Sequence, residues 1–350
     1  MPKHVNLFTY FISLCLCVEL SASLIDLEDL RQESVQETRQ IQIPGYPDAY
    51  NPSIIRWNDS YLLSFKIIPH PSFTFHSFAG VIWLDDDFNP KGNAQILNLR
   101  DDATGVPSRV DDGRLMEVGG YLHFVYSDNA DPIISRGGFR VFVAQLKCTD
   151  SRFDIVSIER LSRFEGQNEK IREKNWVPFE YEEKLLLSYS IVPHVVLKPL
   201  LDDSQECITV CKSRKCPQWD WGEIRGGTTA LKIDEARYLS FFHSSIIMES
   251  IHSDGKPMTH YFMGAYTFDA KPPFAVSHIS PEPIIGKDFY HGKNYKPYWK
   301  PVVVVFPVGF VFDEESIWVA YGRQDRECWI VKINKKWLLN SLIDLNFCIK

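Results

Sequence analysis

The sequence predicts an all-β fold. Three features point to it: short apolar runs broken by Gly, Pro, Asn and Asp, few stripes of helical period, and a strand-length pattern that recurs five times. Each recurrence spans six residues (60–65, 121–126, 184–189, 237–242 and 316–321) and closes on an aromatic, namely Phe65, Tyr126, Tyr189, Phe242 and Tyr321. The closing aromatics are 61, 63, 53 and 79 residues apart, room for about four short strands with their turns. Four strands per repeat make a propeller blade, so the expected architecture is a five-bladed β-propeller with a short N-terminal helix and surface loops.

The elements follow in order. Residues 1–23 read as a secretory signal peptide: Lys3 and His4 precede an apolar stretch over 5–18, and Ser21, Ala22 and Ser23 follow it. That stretch, as a helix, rises about 21 Å against the roughly 30 Å of a bilayer core. A secreted, periplasmic or secretory-lumen protein without a membrane anchor after cleavage is expected. A lead-in over about 24–43 carries a short helix near residues 26–39, and no linker composition interrupts the rest, so 24–350 is expected to be a single domain.

Loss of Cys15 and Cys17 with the signal leaves Cys148, Cys207, Cys211, Cys216, Cys328 and Cys348, an even number that suits an oxidising compartment. Cys207, Cys211 and Cys216 lie among Lys212, Arg214 and Lys215 with no fourth ligand nearby, which favours a disulfide-tied surface loop over a metal site. No metal or organic cofactor is expected. Asn58-Asp59-Ser60 is a glycosylation sequon, meaningful in a eukaryotic host.

The 350 residues carry 38 basic and 45 acidic side chains, a net charge of −7 without a long basic run, so nucleic acid is not an expected partner. Aromatics make up 13% of the chain, which suits a β-rich core or a surface that stacks on sugar rings.

Fourteen residues before each closing aromatic the chain passes through Asn51-Pro52, Asp112-Gly113-Arg114, Asn175-Trp176, Gly227-Thr228 and Phe306-Pro307. The constant offset places these segments on the innermost strand of each blade or the loop entering it. There they converge on one axial pocket. Asp112 is the candidate proton donor, next to a glycine that permits close approach and two residues from Arg114. Lys174, Asn175, Arg225, His243 and Arg323 supply cations and an amide, apt for phosphate. Trp176, Trp219, Trp221, Tyr290 and Trp299 are candidate sugar platforms. The chain carries no dinucleotide glycine fingerprint, Walker loop, Gly-x-Ser-x-Gly elbow or His-Glu-x-x-His pair.

At these segments the sequence resembles the five-bladed enzymes of glycoside hydrolase family 130, the β-mannoside phosphorylases and related mannosidases. Asn51-Pro52 is similar to the family's first-blade Asn-Pro, and Asp111-Asp112-Gly113-Arg114 to its Glu-Asp-Pro-Arg. Lys174-Asn175, Phe242-His243 and Tyr321-Gly322-Arg323-Gln324-Asp325 resemble its later signatures, as do residues 261–269 with Pro272-Pro273 and residues 305–309. The resemblance implies an inverting reaction in which Asp112 protonates the glycosidic oxygen through a hydroxyl of the mannosyl unit and inorganic phosphate attacks the anomeric carbon. It assigns Lys174, Arg225 and His243 to phosphate, and Asn51, Arg114 and Asp325, with the neighbouring Asn175, to the sugar. Gly113 and Asp111 depart from the family's Pro and Glu.

The expected activity is that of a carbohydrate-active enzyme on β-mannosides or related glycans, by phosphorolysis, hydrolysis or transfer from a sugar 1-phosphate, with inorganic phosphate as possible co-substrate. Hydrolysis requires a carboxylate base, for which Glu173, Glu180 and Glu223 are candidates. Two alternatives stand beside it. One is a propeller glycosidase of the arabinanase or fructosidase type, which needs a first-blade acid where this chain has Asn51, with Asp48 the near substitute. The other is a secreted propeller that binds glycans without turnover.

Overall fold

A computed structural model describes residues 24–69, 76–99, 108–129, 138–168, 171–213, 217–293 and 300–345. The signal-peptide segment, Cys216, Cys348 and Trp299 lie outside the described residues.

The chain is all-β with a propeller arrangement of its sheets. Strand β1 (Val35–Ile41) is followed by a four-stranded antiparallel sheet of β2 (Tyr50–Trp57), β3 (Ser60–Ile67), β4 (Phe78–Leu84) and β5 (Pro90–Ile96), paired in sequence order. The pattern repeats in β6 (Asp111–Val118), β7 (Tyr121–Asn129), β8 (Phe139–Thr149) and β9 (Arg152–Leu161). It repeats again in β10 (Val177–Tyr181), β11 (Lys184–Ile191), β12 (His194–Pro199) and β13 (Cys207–Lys212). Next come β14 (Arg225–Gly226), β15 (Leu231–Lys232), β16 (Arg237–Met248), β17 (Met258–Asp269), β18 (Val276–Ile279) and β19 (Val302–Val303). Strands β20 (Val305–Phe312), β21 (Ser316–Arg323) and β22 (Glu327–Asn334) then form a sheet whose fourth, outermost strand is β1. After the helix α1 (Lys335–Ser341), β23 (Ile343–Asp344) returns to pair with β18, which brings the sheet begun by β14 to seven strands.

Four sheets are therefore regular and four-stranded, and the one at the fourth repeat is not. Its inner edge is broken into the two-residue strands β14 and β15 on either side of Gly227-Thr228-Thr229. Apolar clusters fill the gaps between successive sheets. Leu62 and Val81 pack with Leu115 and Phe124, Met116 and Val125 with Leu187 and Leu197, Val177 and Leu186 with Tyr238 and Phe268, and Leu239 and Phe262 with Phe310 and Val331. The last cluster joins Ala320 and Ile330 to Ile54 and Leu63, bringing the final sheet back against the first.

The expected helix at 26–39 is a correction. A single 3-10 turn, Leu27–Leu30, is capped by the Asp26 side chain accepting from Glu28 N at 2.9 Å, and the chain then extends into β1. Val35 to Ile41 find open backbone partners on β22, in register from Val35 with Ile333 to Ile41 with Cys328. That ladder outweighs the weak local preference for helix.

The disulfide-tied loop is also not formed as expected. Cys207 and Cys211 lie four positions apart on the extended strand β13, about 13 Å of rise, too far for a bridge. Cys148, Cys207, Cys211 and Cys328 are free thiols.

Candidate functional site at the axial mouth

The inner strands share a local irregularity that builds the site. The ladder between β2 and β3 shifts register between Tyr50 and Ser53, and that between β6 and β7 between Asp111 and Arg114. A third shift falls between Pro307 and Gly309 on β20. Asn51, Asp112 and Asn175 hold left-handed backbone, with φ of 51°, 53° and 64°. Asn and Asp tolerate that region better than other non-glycine residues, and a bulge there re-aims the side chain out of the sheet. Further along, residues 54–56, 115–117, 180–182, 229–232 and 310–312 line one cavity of about 670 Å³. These inner-strand segments thus face one shared cavity, with the bulges at the N-terminal ends of the strands.

The bulges bring acids and cations together. Both Lys66 and Lys174 pair with the Asp111 carboxylate, and Lys174 Nζ also lies 3.9 Å from Asp112 Oδ2. Asn51 Nδ2 donates to Asp112 Oδ1 at 3.5 Å. Arg114, almost fully buried, donates from Nη1 to Asp112 O at 2.6 Å and from Nε to Gly227 O, tying the second sheet to the fourth across the axis. Gly226 is required there, because a Cβ at this position would overlap the carbonyl oxygen of Asn175.

Electrostatics follow from this packing. Burial alone would raise the Asp112 carboxyl, but Lys174, Arg114 and Lys66 outweigh it and hold the group below the ordinary carboxylate range. Burial lowers the Lys174 ammonium against the pull of Asp112, and brings Arg114 down to about 10, still cationic at neutral pH. Asp325 acts on the same groups. With burial as the larger cause, its charge helps raise the Tyr50 and Tyr261 hydroxyls, and it opposes the lowering of Lys174. His243 is buried and driven down to about 3, chiefly by desolvation, so it is a neutral imidazole. It stacks on Tyr261 with ring centroids 5.8 Å apart.

The sequence-derived residues thus separate into groups. Asn51, Asp112, Arg114 and Lys174 meet directly, and Asp325 and His243 share their field. Asn175 stands beside Lys174 with a buried side-chain oxygen that has no hydrogen-bond partner. The Arg225 backbone pairs with His243, but its side chain is half exposed and pairs with Glu223 at 2.6 Å. Arg323 is engaged by Glu327 at 2.7 Å and by the Trp329 ring.

Among the aromatics, Trp176 is core, packed on Phe164 and Tyr189. Trp221 packs on Phe262 and donates to Glu282, and Tyr290 is buried. Trp219 faces the cleft described next. Of the base candidates, Glu180 lines the cavity at the opposite end of the axis. Asp48 is a surface residue facing Arg326 at 3.5 Å.

A cleft of about 740 Å³ opens beside the mouth, lined among others by Arg172, Glu173, Lys174, Asn175, Trp219 and Arg225. Of these, Arg172 and Lys174 also lie against the buried Phe139 ring, which gathers three cations, with Arg172 Cζ, Lys174 Nζ and Arg109 Cζ at 4.5, 4.6 and 5.1 Å from its centroid. Sequence reasoning did not single out Lys66, Arg109 or Arg172. Lys66 had a signal, since it directly follows a closing aromatic, as His243 does.

No family model and no curated protein sequence matches the chain. Solved structures do. A mannose phosphorylase from Leishmania mexicana in complex with phosphate is 13% identical, with a TM-score of 0.58 over 91% of this chain and 95% of that one. A glycosyl hydrolase from Bacteroides ovatus is 14% identical, with a TM-score of 0.59 over 90% and 94%. A GDP-Man-dependent mannosyltransferase from Leishmania mexicana is 13% identical, with a TM-score of 0.58 over 89% and 94%. The fold is therefore the propeller shared by glycoside hydrolases, mannose phosphorylases and mannosyltransferases.

Proposed function

We propose that this chain is a secreted, inverting carbohydrate-active enzyme on β-mannosides, built as one five-bladed propeller in which the seven-stranded sheet serves as the fourth blade. The observation that carries the reading is the position of Asp112. It is a buried carboxylate at the axial mouth, hydrogen-bonded by Asn51, 3.9 Å from Lys174 Nζ and backed by Arg114.

A group held ionised at rest acts first as a base. In the synthetic direction Asp112 takes the proton of an acceptor hydroxyl, relayed through a mannosyl hydroxyl. The acceptor oxygen bonds to the anomeric carbon of a mannose 1-phosphate, and phosphate departs with the electrons of the broken C–O bond. Lys174, Arg172 and Arg109 take up the charge of the leaving phosphate. In the phosphorolytic direction, bound phosphate offsets the lysines that depress Asp112, which takes a proton from solvent; a phosphate oxygen then bonds to the anomeric carbon as the glycosidic C–O bond breaks, and Asp112 gives its proton to the departing oxygen. Asn51, Arg114, Asn175 and Asp325 seat the sugar. The neutral His243 contributes hydrogen bonding but no charge.

Hydrolysis is a second reading, favoured by Glu173. This residue lines the cleft, burial raises its carboxyl, and its Oε1 has no hydrogen-bond partner. Purified protein incubated with β-mannosides, with and without phosphate, separates the two. Mannose 1-phosphate formed only with phosphate supports phosphate exchange, and free mannose in both tubes supports hydrolysis. Glycan binding without turnover, unchanged by Asp112→Asn, would reduce the protein to a binding propeller.

A further inference from the structure

Far along the chain from the axial residues, three ligand-type side chains converge where the N-terminal lead-in meets the loop after β18. Glu28 belongs to the 3-10 turn Leu27–Leu30, and Asp288 and His291 to the loop. His291 Nδ1 lies 2.9 Å from Glu28 Oε1 and 3.4 Å from Asp288 Oδ1, and one ligating atom from each residue falls within 4.8 Å of the others.

Glu28 is 7% exposed, and its Oε2 accepts from Asp288 N at 3.1 Å. Two carboxylates face one imidazole, and among the described residues no Lys or Arg forms an ion pair with either acid. Of the three only Glu28 is buried, and the Arg323 guanidinium reaches Asp288 at its backbone oxygen, at 2.8 Å, rather than at its carboxylate.

A bound cation would pair with both carboxylates and the imidazole at once. Bonds of about 2.0–2.2 Å to tetrahedral zinc put neighbouring ligand atoms roughly 3.4 Å apart, to be compared with the 2.9 and 3.4 Å that separate His291 Nδ1 from the two carboxylates. One nitrogen and two carboxylate oxygens suit zinc or a similar first-row ion better than calcium, which prefers six or more oxygens. The His291 side chain is 59% exposed, which leaves an entry path and room for water at the remaining position. His252 stands beside the site, 3.0 Å from Asp26 Oδ1 and edge-on to the His291 ring with centroids 5.9 Å apart.

We propose that Glu28, Asp288 and His291 form a divalent transition-metal site, zinc by its donor set, that clips the N-terminal lead-in to the loop after β18. The test uses the full chain stripped with EDTA and titrated with zinc chloride, read by calorimetry, bound metal per chain and Tm. One zinc per chain with a raised Tm is expected in the wild-type protein and in Cys211→Ser, which removes a competing thiol. His291→Gln, at an exposed position, should fold and bind zinc more than the roughly 10–100-fold weaker that loss of an outer partner costs. Asp288→Asn should do the same. No stoichiometric zinc, or zinc retained by His291→Gln, would overturn the proposal and leave an ion-pair cluster.

Discussion

Asn51 and Asp112 stand 61 residues apart in sequence and meet at the axis, Asn51 Nδ2 donating to Asp112 Oδ1 at 3.5 Å. Both occupy left-handed backbone at the same place in successive repeats, φ 51° and 53°. The bulge that turns each side chain out of its sheet is thus repeated architecture put to chemical use.

Asp112→Asn keeps the size of the side chain and removes its proton transfer. Turnover of a β-mannoside should fall by about 10²–10⁴ with KM little changed. Steady-state kinetics beside a melting curve checks this; a variant that turns over normally would remove Asp112 from the chemistry.

Lys66 and Lys174 share Asp111, and the Lys66 side chain is almost entirely buried. Lys66→Met should destabilise the fold, by less than the roughly 3–5 kcal/mol of a fully unpaired buried charge because Lys174 still pairs with Asp111. Adding Asp111→Asn should recover part of the loss. Urea unfolding of the two single variants and the double one measures the coupling.

Gly322 abuts Asn51: a Cβ there would overlap Asn51 Oδ1. Gly322→Ala should displace the amide from Asp112 and reduce turnover more than it reduces Tm. Equal and small effects on both would show that the Asn51 contact is dispensable.

Arg225 is half exposed and held by Glu223, an arrangement worth about 0–1 kcal/mol, whereas Arg172 lies with Lys174 against the Phe139 ring. If phosphate binds at that ring, Arg172→Ala should raise the KM for phosphate clearly more than Arg225→Ala does. The opposite ranking would move phosphate to the Arg225 side of the cleft.

Acid should destabilise the fold through buried imidazoles. Unfolded, His194 and His243 take up protons as pH drops below 6.5; folded, burial holds them neutral down to about 4 and about 3. The unfolded chain then binds more protons, so stability falls as pH falls through that window. The urea midpoint should drop between pH 6.5 and 4, and imidazole resonances of His243 should show no titration there.

The spacing of the closing aromatics was enough to read the first three sheets, where each repeat packs its own strands in order; the fourth repeat is instead a seven-stranded sheet with a broken inner edge, so a count of five regular blades is not borne out. Local pattern carried less at the N terminus, where β1 is a strand only because β22 offers it a ladder. The fourteen-residue offset found Asn51, Asp112 and Asn175, since the bulge belongs to the repeat. Arg109 and Arg172 were not legible: they reach the mouth through contact with Phe139, and pairwise proximity across sheets leaves no periodic mark. Arg225 had the right position but the wrong neighbour, because Glu223 two residues away captures it. The metal-type cluster was equally hidden, since Glu28 meets its partners 260 residues downstream.

Strand β1 completes a sheet whose other members, β20 to β22, are among the last strands to emerge from the ribosome. Until β22 is synthesised, β1 has no ladder partner and this sheet stays open. Closure is consequently a late event that joins the two chain ends, and a nascent chain released early would present an unpaired edge at each of them.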